Sequence, residues 1–457
     1  MAQTTPREIF LGEGAGTGSG GQNLHVNIGP QHPAMHGIIR ILAELDGETV
    51  VKTDVEIGYL HRAFEKECEV GGYNNAIPFT DRLNYVSPLI NNFGYAAAVE
   101  KLLGIEVTER CKYIRVVMSE ISRICDHLTC IGASAMELGA ITVFLYMIKA
   151  REFLWELVED VTGARLTISY GRVGGVRADL PDGFAERARK AFKETREVLD
   201  EVDRLLTGNR IFMDRMIGVG ALSAEESIAY GITGPLLRAA GVAYDVRKAQ
   251  PYWAYDRVEF EVPTRPTGDN YARYLVRMAE MEQSMRIAEQ ALADIPGGAI
   301  NVDFEGRPID PASYVDRGKQ GKTEGLLLLP VTLSPNLEGQ NRRALERVLT
   351  HDKRVALPPK ETTYGSIEGL MNHFMLIMEG YGIRPPAGEV YVPVEGANGE
   401  LGFYVVSDGS DKPYRVHCRP PCLPPLAALP RLLEGGMVAD IVPTFGSVNM
   451  IGGELDR

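Results

Sequence analysis

Leu128-Thr-Cys-Ile-Gly-Ala-Ser-Ala-Met-Glu-Leu-Gly-Ala-Ile-Thr-Val-Phe-Leu-Tyr-Met-Ile148 carries one charge, Glu137, near its middle. A run of about 20 apolar residues is long enough to cross a bilayer, so two architectures compete. A lone carboxylate in hydrocarbon is costly unless a second span pairs with it. The chain has no second such span, and Gly132, Ala133, Gly139 and Ala140 suit close helix packing within protein. The run therefore reads as helix packed inside the protein, and any membrane association has to come from partner chains.

Immediately upstream, Ile114, Val117, Met118, Ile121, Ile124, Cys125, Leu128 and Ile131 recur at spacings of three and four. That is one face of a helix against a core. Arg115, Glu120, Arg123 and Asp126 fall on the other face, which predicts a helix that is half exposed or borders a polar partner. Further helical patterns run through about 134 to 160, 185 to 206, 223 to 240, 269 to 294 and 365 to 380, enough for a bundle. Segments such as Thr49-Val-Val-Lys-Thr-Asp-Val-Glu-Ile-Gly58 predict a small sheet between Leu24 and about Tyr59, and two alternating runs around Asn398-Gly399 predict a β-hairpin. The fold class is α+β, predominantly α. Its expected segments are a flexible Gly-rich tail (1–22), a β-rich region (23–70), a helical bundle core (71–299), an insertion punctuated by Pro308, Pro311, Pro330 and Pro335 (300–353), and a helix, hairpin and tail returning to the core (354–457).

The 457 residues carry 61 acids against 48 bases, and no basic run interleaved with aromatics, so a nucleic-acid partner is not expected. Six cysteines in this length and no apolar leader after Met1 point to a reducing compartment without disulfides. Gly16, Gly18 and Gly21 fit G-x-G-x-x-G, but neither a strand before nor a helix after them supports a nucleotide loop.

Candidate chemistry begins with Gly29-Pro-Gln-His-Pro-Ala-Met-His-Gly37. His32 and His36 lie four apart, but Pro33 between them favours a loop over a helix presenting two ligands. A metal pair is open, yet no nearby carboxylate or cysteine spacing completes a site. Tyr85, in Asp81-Arg-Leu-Asn-Tyr-Val-Ser87, is a hydrogen-bonding phenol at the least. Glu137, on an apolar helix, demands a partner. Cys68, Cys111, Cys125, Cys130, Cys418 and Cys422 form no paired CxxC and read as small core or surface residues.

Taken in order, these stretches resemble the 49 kDa subunit of the proton-pumping NADH:quinone oxidoreductases, respiratory complex I. The matching pieces are Gly29–Gly37, Gly58-Tyr-Leu-His-Arg62, Asp81–Ser87, Gly174-Gly-Val176, Asp245-Val-Arg-Lys-Ala-Gln-Pro-Tyr252, Val355-Ala-Leu-Pro-Pro-Lys360, Val406-Ser-Asp-Gly-Ser410 and Gly453-Glu-Leu-Asp-Arg457. They span nearly the whole chain apart from the tail and the 300–353 segment. That family is similar in turn to the large subunit of nickel-iron hydrogenases, so a hydrogenase-like helical bundle is implied. Asn84 and Ser87, then Ile451 and Glu454, stand where the hydrogenase has its metal-binding thiolates. No nickel site is left, and the resemblance implies a quinone headgroup in that cavity.

On this resemblance Tyr85 and His36 hydrogen-bond the two ends of the quinone, which needs two proton donors as it is reduced. Glu137 is the acid paired with His36; an opposite charge about 4 Å away is worth roughly 4 kcal/mol at an effective dielectric near 20. His32 supports the pocket loop, while Asn84, Ser87 and Asn449 line the cavity. Arg62 lies beside an iron–sulfur cluster of a neighbouring subunit, the alternative being an ion pair with Glu65 or Glu67. The implied partners are that iron–sulfur subunit, other peripheral-arm subunits and a membrane-arm quinone-channel subunit, with the chain peripheral on the cytoplasmic face of the inner membrane. NADH is bound by another subunit, and this chain itself holds no metal or flavin.

Four positions depart from the family pattern. Glu137, Asn84 and Asn449 stand where aspartate is usual, and Thr167 where the resemblance implies a histidine close to the partner subunit's iron–sulfur cluster. These put the electron donor and quinone type in question rather than the fold, so a relative fed by ferredoxin or another donor, or a scaffold that has lost quinone reduction, remains the alternative.

Overall fold

The computed structural model describes residues 23–301, 360–378 and 382–457. The Gly-rich stretch, the predicted insertion beyond residue 301 and most of Val355–Lys360 lie outside the described residues.

The chain opens with an antiparallel meander of β1 (Leu24–Ile28), β2 (Arg40–Asp46) and β3 (Thr49–Glu56). Leu24 pairs with Leu45 and Ile28 with Ile41, while β2 meets β3 from Arg40–Glu56 to Asp46–Thr49 with an irregularity at Glu44/Leu45. Strand alternation turns Ile41, Ala43 and Leu45 into one core. The loop between β1 and β2 carries Gly29–Gly37.

Five long helices follow: α1 (Pro88–Leu103), α2 (Glu109–Glu137), α3 (Ile141–Thr162), α4 (Phe184–Val202) and α5 (Asn270–Asp294). Thr108 caps α2 by accepting from the Cys111 N–H. The whole predicted stripe from Ile114 to Ile131 is buried, packed with Met147 and Leu154 of α3, Phe192 of α4 and Met285 and Ala288 of α5.

Two expectations change here. The apolar run Leu128–Ile148 is not one helix: α2 stops at Glu137, and α3 restarts at Ile141 after a turn in which Gly139 takes φ +92°. In its first half Leu128, Cys130, Ile131 and Ala135 are buried, whereas Met136 and, in α3, Ile141 and Leu145 are exposed. No helix among the described residues is long and apolar enough to cross a membrane. Second, the polar face of α2 is not exposed. Arg115, Glu120, Arg123, Asp126 and His127 are all fully buried, and their partners come from the same chain.

That interior is ionic. Arg115 makes a two-pronged contact with Glu100 at 2.8 and 2.5 Å. Glu120 accepts from Arg123, Arg247 and Tyr255. His127 Nε2 lies 2.9 Å from Glu280, which also accepts from Arg238. Burial pushes the Glu280 carboxyl up, but Arg238 and His127 outweigh it and hold it down at about 2. Such a network adds little over an apolar core, but removing one partner strands a buried charge.

The predicted 223–240 helix splits into Ala224–Ala229 and Gly234–Ala239. Near the C-terminus, α6 (Ile367–Ile377) precedes the predicted hairpin of β4 (Gly388–Gly396) and β5 (Gly399–Ser407), closed where Gly396 pairs with Gly399. A third strand, β6 (Arg415–Arg419), adds to β5; its short, charged sequence hides its alternation. Two last helices, α7 (Ile441–Val448) and α8 (Gly452–Asp456), return to the core. The fold is α+β and mainly helical, with small sheets at both ends.

Candidate functional site

One face of α2 organises the candidate site. Asp126 and Glu137 are eleven residues apart, which places them within about 20° around the helix and about 16 Å apart along it. Helix α7 lies along this face: the Cys130 thiol donates to the Gly446 carbonyl, and Asn449, past the end of α7, meets Asp126.

At the Glu137 end, Pro33–Met35 forms a single 3-10 turn. His32 caps it, its Nδ1 accepting from the Ala34 N–H at 3.2 Å, and stays exposed. His36 ends the turn in the left-handed region, φ +54°, and this brings its Nε2 to 3.4 Å from Glu137 Oε1. The imidazole also meets the edge of Phe445, with ring centres 5.8 Å apart. His36 is about a third exposed and Glu137 nearly buried. The second oxygen, Oε2, is buried without a hydrogen-bond partner among the described residues. Gly446 makes room for it: a Cβ there would stand 2.7 Å from Glu137 Oε2 and 3.0 Å from Ser134 Oγ.

At the other end, Asp126 accepts from Asn84 Nδ2 (2.9 Å), Ser87 Oγ (2.8 Å) and Asn449 Nδ2 (2.7 Å). Asn84 Oδ1 in turn takes the N–H groups of Val86 and Ser87, which shapes the turn displaying Tyr85. Asn449 also donates to Asn398 Oδ1, Asn398 donates to the Cys422 sulfur, and the Cys422 N–H donates to Glu454. Burial pushes the Glu454 carboxyl up to about 8, with nearby Asp126 adding to the rise and contacts from Cys422 and Asn84 opposing it. Tyr85 is half-buried. Burial raises its phenol first; Cys422 and Asp126 raise it further, while Arg62 and a backbone hydrogen bond from Gly452 pull it back.

Arg62 is exposed and donates to the Arg82 carbonyl at 2.5 Å. Among the described residues it makes no ion pair: Glu65 instead serves Arg415, His417 and Arg457. Its segment is tied to the C-terminus, since Asp456 accepts from the N–H groups of Gly58 and Leu60. Thr167 is exposed in the loop after α3, at φ +49°.

Thus Asn84, Ser87 and Asn449 come together on one carboxylate, with Tyr85 beside them, and His36 meets Glu137. Arg62 flanks Tyr85, and His32 acts on its own turn. Sequence reasoning missed Asp126, Asn398 and Cys422, and took Glu454 only as a position without a thiolate. The helical phase shared by Asp126 and Glu137 was the available signal. All six cysteines are free and buried, and among the described residues no group of His, Cys, Asp and Glu is arranged to hold a metal ion.

The chain matches the profile of a family described as respiratory-chain NADH dehydrogenase, 49 Kd subunit, over residues 137–321 and 337–457. It is 49% identical over 436 residues to the NADH-quinone oxidoreductase D subunit of Myxococcus xanthus, covering 95% of this chain and 93% of the relative. The first D subunit of the NADH-quinone oxidoreductase of Sorangium cellulosum is 48% identical over 433 residues, covering 94% and 95%. The NADH-quinone oxidoreductase C/D subunit of Bdellovibrio bacteriovorus is 46% identical over 434 residues, covering 95% of this chain and 69% of its own length.

Proposed function

The chain belongs to the family of the 49 kDa subunit of respiratory-chain NADH dehydrogenase and so is a subunit of an NADH-quinone oxidoreductase; from that premise we propose that it forms, with an adjacent iron–sulfur subunit, the site at which quinone is reduced to quinol. The observation that carries the reading is that a single face of α2 bears both the His36–Glu137 contact and the polar cluster beside Tyr85.

Reduction takes two electrons and two protons. An iron–sulfur cluster in the partner subunit would supply the electrons, and the fixed positive charge of Arg62 beside it would favour its reduced form. Tyr85 and His36 give the protons to the two quinone oxygens, since a phenol and an imidazole both donate and accept. Neutralising His36 leaves Glu137 without its counter-charge in a nearly buried position. That electrostatic change is the event the membrane arm converts into proton translocation. The chain itself sits peripherally on the cytoplasmic face of the inner membrane, held by a quinone-channel subunit and other peripheral-arm subunits. The double name of the C/D relative supports the C component of such a complex as one neighbour.

The test is Tyr85→Phe and His36→Ala in the assembled complex. Each lowers NADH-driven quinone reduction about a hundredfold, the order expected of a lost proton donor, with the complex intact on a native gel. Wild-type rates in both would reduce the chain to a scaffold.

A further inference from the structure

The donors around Asp126 are all neutral: two amides and a hydroxyl, at 2.7–2.9 Å. Its neighbours along α2 are engaged elsewhere, Arg123 with Glu120 and two carbonyls of β4, and His127, which burial draws toward its neutral form, with Glu280. Among the described residues, three donors and no acceptor face this buried carboxyl, an arrangement that complements its acceptor-only, ionised form. With Asp126 between Asn84 and Asn449, an aspartate at either place would set two carboxylates at hydrogen-bond distance, where both cannot stay ionised.

We propose that Asp126 is a positioning residue for quinone reduction, fixing the Asn84–Ser87 turn, and with it Tyr85, against Asn449. This rests on Tyr85 serving the quinone. Two acids near Asp126 come from separate elements. Tyr85 faces Cys422, Arg62 and Asp126, and Glu454 faces Cys422, Asn84 and Asp126. A negative charge raises the affinity of both the phenol and the carboxyl for their protons. Arg62 opposes it at Tyr85. At Glu454 burial is the first cause of the rise to about 8, with Asp126 adding to it and the Cys422 and Asn84 contacts opposing it.

The experiment is a charge-relocation cycle in the assembled complex: Asp126→Asn, Asn449→Asp and both together, with kcat and KM for quinone measured from pH 6 to 10. Asp126→Asn turns an amide N–H toward donors and lowers kcat about tenfold or more. It also removes a negative charge beside Tyr85 and Glu454, so the alkaline limb of the rate moves to lower pH. Asn449→Asp alone lowers kcat by crowding two carboxylates. The double variant restores one acceptor among donors and recovers kcat to within about threefold, a strongly non-additive result, and its alkaline limb returns toward that of the wild type. If Asp126→Asn does not assemble, the double variant decides: assembly with recovered rate supports the proposal, and failure overturns it. An unchanged rate and limb in Asp126→Asn, or a double variant no better than Asp126→Asn, also overturns it. Those outcomes leave the quinone reading standing as long as Tyr85→Phe and His36→Ala lose their rates; wild-type rates in those two sink the reading itself.

Discussion

Gly446→Ala separates the placing of Glu137 from the stability of the fold. The new Cβ would stand 2.7 Å from Glu137 Oε2 and 3.0 Å from Ser134 Oγ. Both atoms end flexible side chains, so they yield before the backbone does. Ordinary contact needs the carboxylate to retreat by about 0.7 Å. A retreat along the line from His36 lengthens the 3.4 Å contact to about 4.1 Å. At an effective dielectric near 20 the charge interaction then falls from about 5 to about 4 kcal/mol. His36 is 37% exposed, and solvent screening reduces the difference to about 0.5 kcal/mol. Quinone reduction by the assembled complex is therefore expected to drop roughly two- to threefold. Stability moves the other way, because Ala replaces Gly within a helix and gains up to about 1 kcal/mol. The assay is NADH-driven quinone reduction alongside thermal unfolding, repeated in a Glu137→Gln background where the carboxylate is already gone. A wild-type rate in Gly446→Ala, or an equal loss in the Glu137→Gln background, would refute the reasoning, since the effect would then not run through the His36–Glu137 contact.

Glu100→Gln strands the fully buried Arg115 guanidinium and should cost about 3–5 kcal/mol, seen as a lower unfolding midpoint or as failed assembly; an unchanged midpoint would show the pair to be dispensable. Glu280, held at about 2 in the fold against an ordinary 4.5, contributes stability that is present above pH 4.5 and lost as the pH falls toward 2. Glu280→Gln should flatten the acid-unfolding curve across that window, and an unaltered slope there would count against the assignment. Exposed Thr167 does not titrate between about pH 5 and 8, so the partner cluster's potential should depend weakly on pH and Thr167→His should steepen it; redox titration at several pH values reads the difference, and a histidine-like slope without the substitution would contradict it.

Period and turn chemistry were legible in the sequence by themselves. The three- and four-residue spacing from Ile114 to Ile131 named the buried stripe of α2, β-type segments named the N-terminal sheet and the C-terminal hairpin, and Asn398-Gly399 lay at the hairpin turn, because each depends on neighbours within a few residues. The order of the motifs from Gly29 to Arg457 was enough to indicate the family. What covers a helix face is another matter. Arg115, Glu120 and Asp126 look like a solvated face in one dimension, and only the tertiary structure supplies Glu100, Arg247 and Asn449 to bury them. The break at Leu138-Gly-Ala140 likewise turns an apparent membrane-length run into the end of one helix and the start of another. Asp126 became the hub of the site because its donors come from 42 and 323 positions away in the chain, and hydrogen-bond complementarity over such separations is fixed by packing in three dimensions and leaves no local pattern to read.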